Sequence, residues 1–85
     1  MDREDLLSRM SDDVKEYVDD VMKVYNVRFA RQMGIEIVSV SNEEVVCEMD
    51  LRPDQLNYMG FGHGGAIFSL VDHTFGIQCN IEHPC

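Results

Sequence analysis

The sequence predicts an α+β domain, and three patterns carry this prediction. Apolar residues recur at helical spacing between residues 12 and 33, and a clear period of two follows at 45–52. A Gly-rich segment then leads into a second, strongly apolar stretch at 64–79, which is typical of a buried helix. With 85 residues, the chain makes one small domain at most.

The first predicted helix spans residues 12–33. Ser11 is a candidate N-cap, because acidic residues follow it where the positive end of the helix dipole favours them. Gly34 is a natural stop for this helix. The apolar stripe consists of Val14, Val18, Val21 and Tyr25, widened by Tyr17, Met22 and Phe29. We assign this stripe to packing and expect residues 1–10, which are mostly polar, to be disordered.

A hairpin is predicted at 35–52. The β-branched run 35–40 and the alternating run 45–51 are separated by the polar turn 41–44. The loop that follows occupies residues 53–63, with Pro53 ending the second strand.

Composition excludes several classes of function. The net charge is −9, from sixteen acidic and seven basic residues, which argues against binding a nucleic-acid backbone. No apolar run is long enough to span a bilayer, and the acidic N-terminus lacks the apolar core of a secretory signal. The three cysteines are not closely paired, so we expect no disulfide framework and interpret Cys47 and Cys79 as small buried hydrophobes. We therefore expect a cytoplasmic protein that binds neither membranes nor nucleic acid.

The second helix, at 64–79, has little polar surface and should be nearly enclosed by other structure. A two-stranded hairpin is too small to enclose it. We therefore expect that further strands cover the helix, and that the chain is a fragment of a larger domain or a truncated dimer-forming protein.

The start of this helix combines several residues that can take part in catalysis. Gly64 and Gly65 allow a ligand to approach the backbone amides where the helix dipole is positive, as in an oxyanion hole. Asp72 is a carboxylate in apolar surroundings, which makes it a candidate acid, base or nucleophile. The alternatives are a tight corner for the two glycines and an ordinary dipole-favoured helix residue for Asp72.

His63 and Asn57 complete the candidate set. His63 can donate a hydrogen bond to a substrate, position the loop or cap the helix, and Asn57 can bind substrate or water or simply form a turn. A metal site is disfavoured, because the histidines and cysteines match no zinc-binding spacing. We expect neither a metal nor a cofactor.

The segment His63-Gly64-Gly65-Ala66-Ile67-Phe68-Ser69-Leu70-Val71-Asp72, preceded by Asn57, resembles the signature of hotdog-fold acyl-CoA thioesterases of the phenylacetic-acid-degradation type. The resemblance covers about residues 14–80 and extends to the order of helix, hairpin, Gly-rich loop and long helix. It implies an antiparallel sheet wrapped around a central helix, of which this chain would carry the N-terminal half, truncated after that helix.

The resemblance also implies a homodimer or homotetramer that hydrolyses acyl-CoA at the dimer interface. The Gly64 amide would polarise the thioester carbonyl, Gly65, His63 and Asn57 would help to position the substrate, and Asp72 of the partner subunit would act as general base or nucleophile. The acyl group itself is not predicted. Hotdog hydratases and dehydratases use a different loop pattern, so thioesterase is favoured; the alternative is a non-catalytic assembly or partner-binding domain of the same fold.

Overall fold

The computed structural model describes residues 1–56, 58–60 and 64–82. Over these ranges the α+β class is confirmed. The helices are α1 (Arg3–Ser8), α2 (Val18–Tyr25), α3 (Arg28–Met33) and α4 (Gly64–Glu82). The strands are β1 (Glu36–Val40) and β2 (Val45–Glu48), which pair antiparallel. Two short 3-10 helices cover Asp12–Tyr17 and Pro53–Gln55.

The N-terminal segment is ordered, in contrast to the disorder predicted for residues 1–10. Asp2 caps α1 by accepting a 2.8 Å hydrogen bond from the Asp5 amide, and Leu6 is fully buried. The chain then runs beside β1: the Ser11 amide donates to the Val40 carbonyl and the Val40 amide donates to the Arg9 carbonyl, both at 2.9 Å. The prediction failed because the few apolar residues of this polar segment, which include Leu6, all enter the core.

The predicted helix 12–33 is divided into three pieces. Asn26 ends α2, and Val27 takes an extended ψ of 127° before α3 begins. Ser11 precedes the first piece, but its hydroxyl donates to Asp13 instead of capping the helix. Gly34 ends α3 with φ of +78°, in the left-handed region that glycine adopts without steric cost. All four main stripe residues are buried as predicted: Val14, Val18, Val21 and Tyr25.

The hairpin is shorter than predicted. In its register Ile37 pairs with Cys47 and Val40 pairs with Val45, with a β-bulge between Ile37 and Ser39. Strand β2 ends at Glu48, before the predicted end at residue 52. Cys47 is a half-buried free thiol, whereas Cys79 is disulfide-bonded, which corrects the expectation of two simple buried hydrophobes.

Helix α4 packs on α2 and β2, with Ile77 and Ile81 in the core, and Ala66 is buried near the start of the helix. The opposite side is apolar and exposed: Phe68 and Phe75 each retain 69% of their accessible surface. Among the described residues the helix is therefore covered on one side only, in contrast to the predicted near enclosure. The packing of a long helix on an antiparallel sheet is compatible with a hotdog fold, and the wrapping of a larger sheet around this helix stays a prediction.

A polar cluster fixes the turn from α3 into β1. The Arg31 guanidinium lies 3.4 Å from the centre of the Tyr25 ring and donates a 2.8 Å hydrogen bond to the Tyr25 carbonyl. The Tyr25 hydroxyl donates to Glu36 at 2.6 Å, and Arg31 forms a 3.2 Å ion pair with the same carboxylate. Burial, with the Glu36 hydrogen bond, raises the pKa of Tyr25 to about 12.

We predict that Tyr25→Phe lowers the free energy of unfolding by about 1–2 kcal/mol at pH 7, because it removes a hydrogen bond to a charged group while keeping the ring. Since the pKa of Tyr25 is higher in the folded state than its usual 10.0, the stabilisation by the hydroxyl is present below pH 10 and is lost as pH rises through about 12. Urea unfolding at pH 7 and between pH 10 and 12 measures both effects. Tyr17→Phe is the control, since the Tyr17 hydroxyl has no hydrogen-bond partner within the described residues; equal losses in the two variants would contradict the prediction.

Candidate active site

Helix α4 begins at Gly64, so the two predicted glycines form its first turn. An α-helix leaves its first four amides without intrahelical acceptors. Both glycines are exposed, and a side-chain carbon added at Gly64 would have no neighbour within 4 Å. The Ser69 hydroxyl donates to the Gly65 carbonyl at 2.8 Å, one turn along the helix. The start of the helix is therefore exposed, and Gly64 adjoins an open space.

Two of the predicted site residues, Asn57 and His63, lie outside the described residues. The geometry of the candidate site consequently rests on Gly64, Gly65 and Asp72, all on α4.

The segment that leads toward the helix start is anchored by Gln55, which the sequence analysis missed. Gln55 is buried. It accepts a 2.9 Å hydrogen bond from the Arg52 amide and donates one of 3.1 Å to the Met33 carbonyl, at the end of α3. A Gln three residues after a helix-capping position is a recognisable sequence signal, here in Arg52-Pro53-Asp54-Gln55. Residues 52–55 are thus tied to the end of α3, nine residues before the candidate site begins at Gly64.

Asp72 is exposed on α4 and borders a cleft between α4 and the segment containing α3. This space, here called the Asp72 cleft, has a volume of about 360 Å³. Its lining is mostly apolar and includes Val24, Val27, Phe29, Ala30 and Phe68. Asp72 therefore combines access to solvent with an apolar surface beside it.

The helix-start glycines and Asp72 do not meet within one chain. Eight residues separate Gly64 from Asp72, which is a rise of about 12 Å along a helix axis. Gly65 and Asp72 are seven residues apart and so lie on the same side of α4, about 10 Å from each other. A carbonyl oxygen held at the amide of Gly64 is consequently out of hydrogen-bond range of the Asp72 carboxylate of the same copy.

His73, next to Asp72, also borders the Asp72 cleft. Its Nε2 atom is buried and has no hydrogen-bond partner among the described residues. Burial lowers the pKa of His73 below its usual 6.5, the positive charge of Arg31 lowers it further, and the negative charge of Asp72 opposes both effects. The imidazole is therefore neutral at pH 7 and contributes no positive charge to the cleft.

We predict that the pKa of His73 lies below 6.5 and that Asp72→Asn lowers it further, because the substitution removes the negative charge that favours the imidazolium. NMR titration of the imidazole C–H resonances measures both values, with His73→Gln used to assign the signal.

The depressed pKa of His73 also predicts how the free energy of unfolding depends on pH. Since the folded pKa is depressed, the contribution of His73 is fully present above pH 6.5 and is lost as pH falls through the folded pKa. Urea unfolding of the wild type and of His73→Gln between pH 5 and pH 8 tests this. In the NMR titration, an unchanged or raised His73 pKa in Asp72→Asn would contradict the proximity of the Asp72 carboxylate to the His73 imidazole.

Within residues 1–56, 58–60 and 64–82, no three His, Cys, Asp or Glu side chains are grouped so that they could hold a metal ion. In the same part of the chain, no helix has both the length and the apolarity needed to cross a bilayer.

The chain is similar to known acyl-coenzyme A thioesterases. It is 36% identical over 53 residues to acyl-coenzyme A thioesterase PaaI of Escherichia coli, a match that covers 62% of this chain and 38% of that protein. It is 32% identical over 76 residues to acyl-coenzyme A thioesterase 13 of Homo sapiens and of Pongo abelii, covering 86% of this chain and 53% of each of those proteins. The chain thus spans about half the length, or less, of the curated relatives it matches.

No protein-family model matches the chain, and no solved structure does. The similarity to the three curated relatives supports the resemblance to hotdog-type thioesterases that the sequence motif indicates.

Proposed function

We propose that this protein hydrolyses acyl-CoA thioesters to a free acid and coenzyme A, at a site that two copies of the chain share. The Gly64 amide of one copy polarises the carbonyl, and Asp72 of the other copy is the general base or nucleophile. We infer the shared site from the spacing of Gly64 and Asp72 on α4. A rise of about 12 Å separates them within one copy, so one carbonyl can reach both only if they come from different copies.

The chemistry of the two groups fits thioester cleavage. Attack on the carbonyl carbon moves negative charge onto the carbonyl oxygen, and amides at a helix start stabilise that charge without reorganisation. As a general base, Asp72 takes a proton from water while the water oxygen bonds to the carbonyl carbon. The C–S bond then breaks, and the proton passes to the departing thiolate.

As a nucleophile, an Asp72 oxygen instead bonds directly to the carbonyl carbon. The thiolate leaves with a proton from solvent, and water then hydrolyses the mixed anhydride to restore the carboxylate. In both routes Gly65, His63 and Asn57 position the substrate, the water or the loop.

We expect Asp72→Asn to reduce acyl-CoA hydrolysis by about 100-fold or more while leaving the fold intact, because an amide can neither accept the proton nor attack the carbonyl. Thiol release followed with DTNB, on aryl- and medium-chain acyl-CoAs, measures the rate, and circular dichroism measures the fold. Asp50→Asn is the control: it also removes an exposed carboxylate, but from the segment after β2. Turnover of Asp72→Asn equal to that of the control would refute the role of Asp72.

The amide of Gly64 can be tested with a matched pair of substitutions. Gly64→Pro removes the N–H group at the first helical position, where proline is well tolerated, whereas Gly64→Ala keeps the N–H and meets no neighbour within 4 Å. We expect the proline variant to lose about 100-fold in kcat and the alanine variant to retain most of its activity.

Mixing the two inactive variants tests whether the site is shared. A dimer of one Asp72→Asn copy and one Gly64→Pro copy contains one intact pair, Gly64 from the first and Asp72 from the second. Because half of a statistical mixture is mixed dimer with one of two sites restored, we expect about a quarter of wild-type activity after co-refolding. No recovery from a mixture shown to contain mixed dimers would rule out the shared site.

The second candidate function is a non-catalytic assembly domain. The exposed apolar side of α4, with Phe68, Val71 and Phe75, favours it, since patches of this kind mark surfaces that pack against something else. A defined oligomer that hydrolyses no member of a broad acyl-CoA panel would favour this function over the enzyme.

A further inference from the structure

The Asp72 cleft is suited to an apolar ligand. Its volume, about 360 Å³, lies in the range of small-molecule sites. The wall opposite α4 is formed by apolar side chains, among them Val24, Val27 and Ala30. The side chains of Asp72 and Ser69 lie on the α4 side. A ligand with an apolar group and a reactive polar end matches this division of the lining.

We propose that the Asp72 cleft binds the acyl group of the thioester, and that Val27 and Gly76 set the length of acyl chain it accepts. This inference rests on the proposed function. The reacting carbon must lie beside Asp72, and the acyl group is bonded to that carbon. The cleft that opens beside the same carboxylate is therefore an adjacent apolar space in which the acyl group can be buried.

A second cleft competes for the same role and fits it less well. It has a volume of about 480 Å³, lies beside Gly65 at the start of α4, and shares Phe29 and Ser69 with the Asp72 cleft. Its lining includes the Asp54 carboxylate and the buried Gln55 amide. Three of its seven lining residues are polar (Asp54, Gln55 and Ser69), compared with three of ten in the Asp72 cleft, so it offers less apolar surface to methylene groups. The acyl group therefore occupies the Asp72 cleft, and the cleft beside Gly65 is left to the more polar part of the substrate.

Gly76 lies one helical turn after Asp72 and also lines the cleft. A side-chain carbon added there would lie 3.9 Å from Val24 Cγ1, an ordinary van der Waals contact. Gly76→Ala therefore introduces a methyl group that narrows the cleft without a clash, and alanine is the better helix former. Val27 contributes to the opposite wall and is half exposed, so Val27→Ala widens the cleft at little structural cost.

The test measures kcat/KM for straight-chain acyl-CoAs from two to twelve carbons. We expect Gly76→Ala to move the optimum to shorter chains and Val27→Ala to move it to longer ones. The expected size of the change is roughly fourfold in kcat/KM for each methylene group that gains or loses its apolar contact. Met33→Ala is the control, because Met33 lines the cleft beside Gly65 and not the Asp72 cleft. It should leave the ranking of chain lengths unchanged.

The proposal is overturned if the ranking shifts in Met33→Ala and in neither of the other variants, or if no variant changes it. Dissociation constants for S-hexyl- and S-dodecyl-coenzyme A thioethers separate this result from a failure of the proposed function. If the wild type hydrolyses no acyl-CoA, the proposed function fails. In that case the ratio of the two dissociation constants still tests the cleft. If Gly76→Ala and Val27→Ala change this ratio, an alkyl site in the cleft is supported. If neither substitution changes it, such a site is excluded.

Discussion

The packing of α4 against α2 and the hairpin organises the rest of the molecule. Ile77 and Ile81 of α4 enter the same core as Val21 and Tyr25 of α2 and Ile37 of β1. These contacts lie in the C-terminal half of α4 and fix the axis of the helix, while Gly64 is exposed at its other end. Burial of apolar surface toward the C-terminal end of the helix thus leaves the Gly64 end exposed.

A rigid helix also imposes a distance that no side-chain movement removes. The side chain of an aspartate spans only a few ångströms, whereas the rise from Gly64 to Asp72 is about 12 Å. The choice is therefore between two unrelated features on one helix and a site completed by a second copy. Thioester hydrolysis, the function we propose, needs both a hydrogen-bond donor to the carbonyl oxygen and a base or nucleophile, which is why we favour the second.

Sequence patterns predicted best the parts of the fold that depend on local periodicity. The stripe from Val14 to Tyr25 and the stop at Gly34 follow from helical spacing and from the conformational freedom of glycine. The break at Asn26 and Val27 carries no Gly or Pro signal. Phe29 follows Tyr25 by one helical turn and was assigned to the same packing stripe, but the break redirects α3, so that Ala30 is buried and Phe29 lines both clefts.

The candidate site was only partly accessible to the same reasoning. Gly64, Gly65 and Asp72 could be proposed as site residues because they are close in sequence and chemically distinctive. The surroundings of the site could not be predicted, since one wall of the Asp72 cleft comes from α2 and α3 and the other from α4, and the whole hairpin separates the two walls along the chain. The contact between Gln55 and Met33 is likewise long-range and depends on how the loop folds back onto α3.

On α4, the exposed apolar residues Val71 and Phe75 point in a different direction from Asp72. This difference limits the directions from which further strands or a second copy can pack against the helix. Successive residues of an α-helix differ by about 100° in direction, so Val71 and Asp72 cannot lie on one face. Val71 and Phe75 line a groove of about 500 Å³ against β2, whereas Asp72 borders the cleft against α3. An element that covers the apolar groove beside β2 therefore leaves Asp72 accessible, and a second copy that brings its helix start to Asp72 must approach from the α3 side. Covering the groove beside β2 therefore does not block the site, whereas Phe68, which lines the Asp72 cleft, lies on the side from which the second copy approaches.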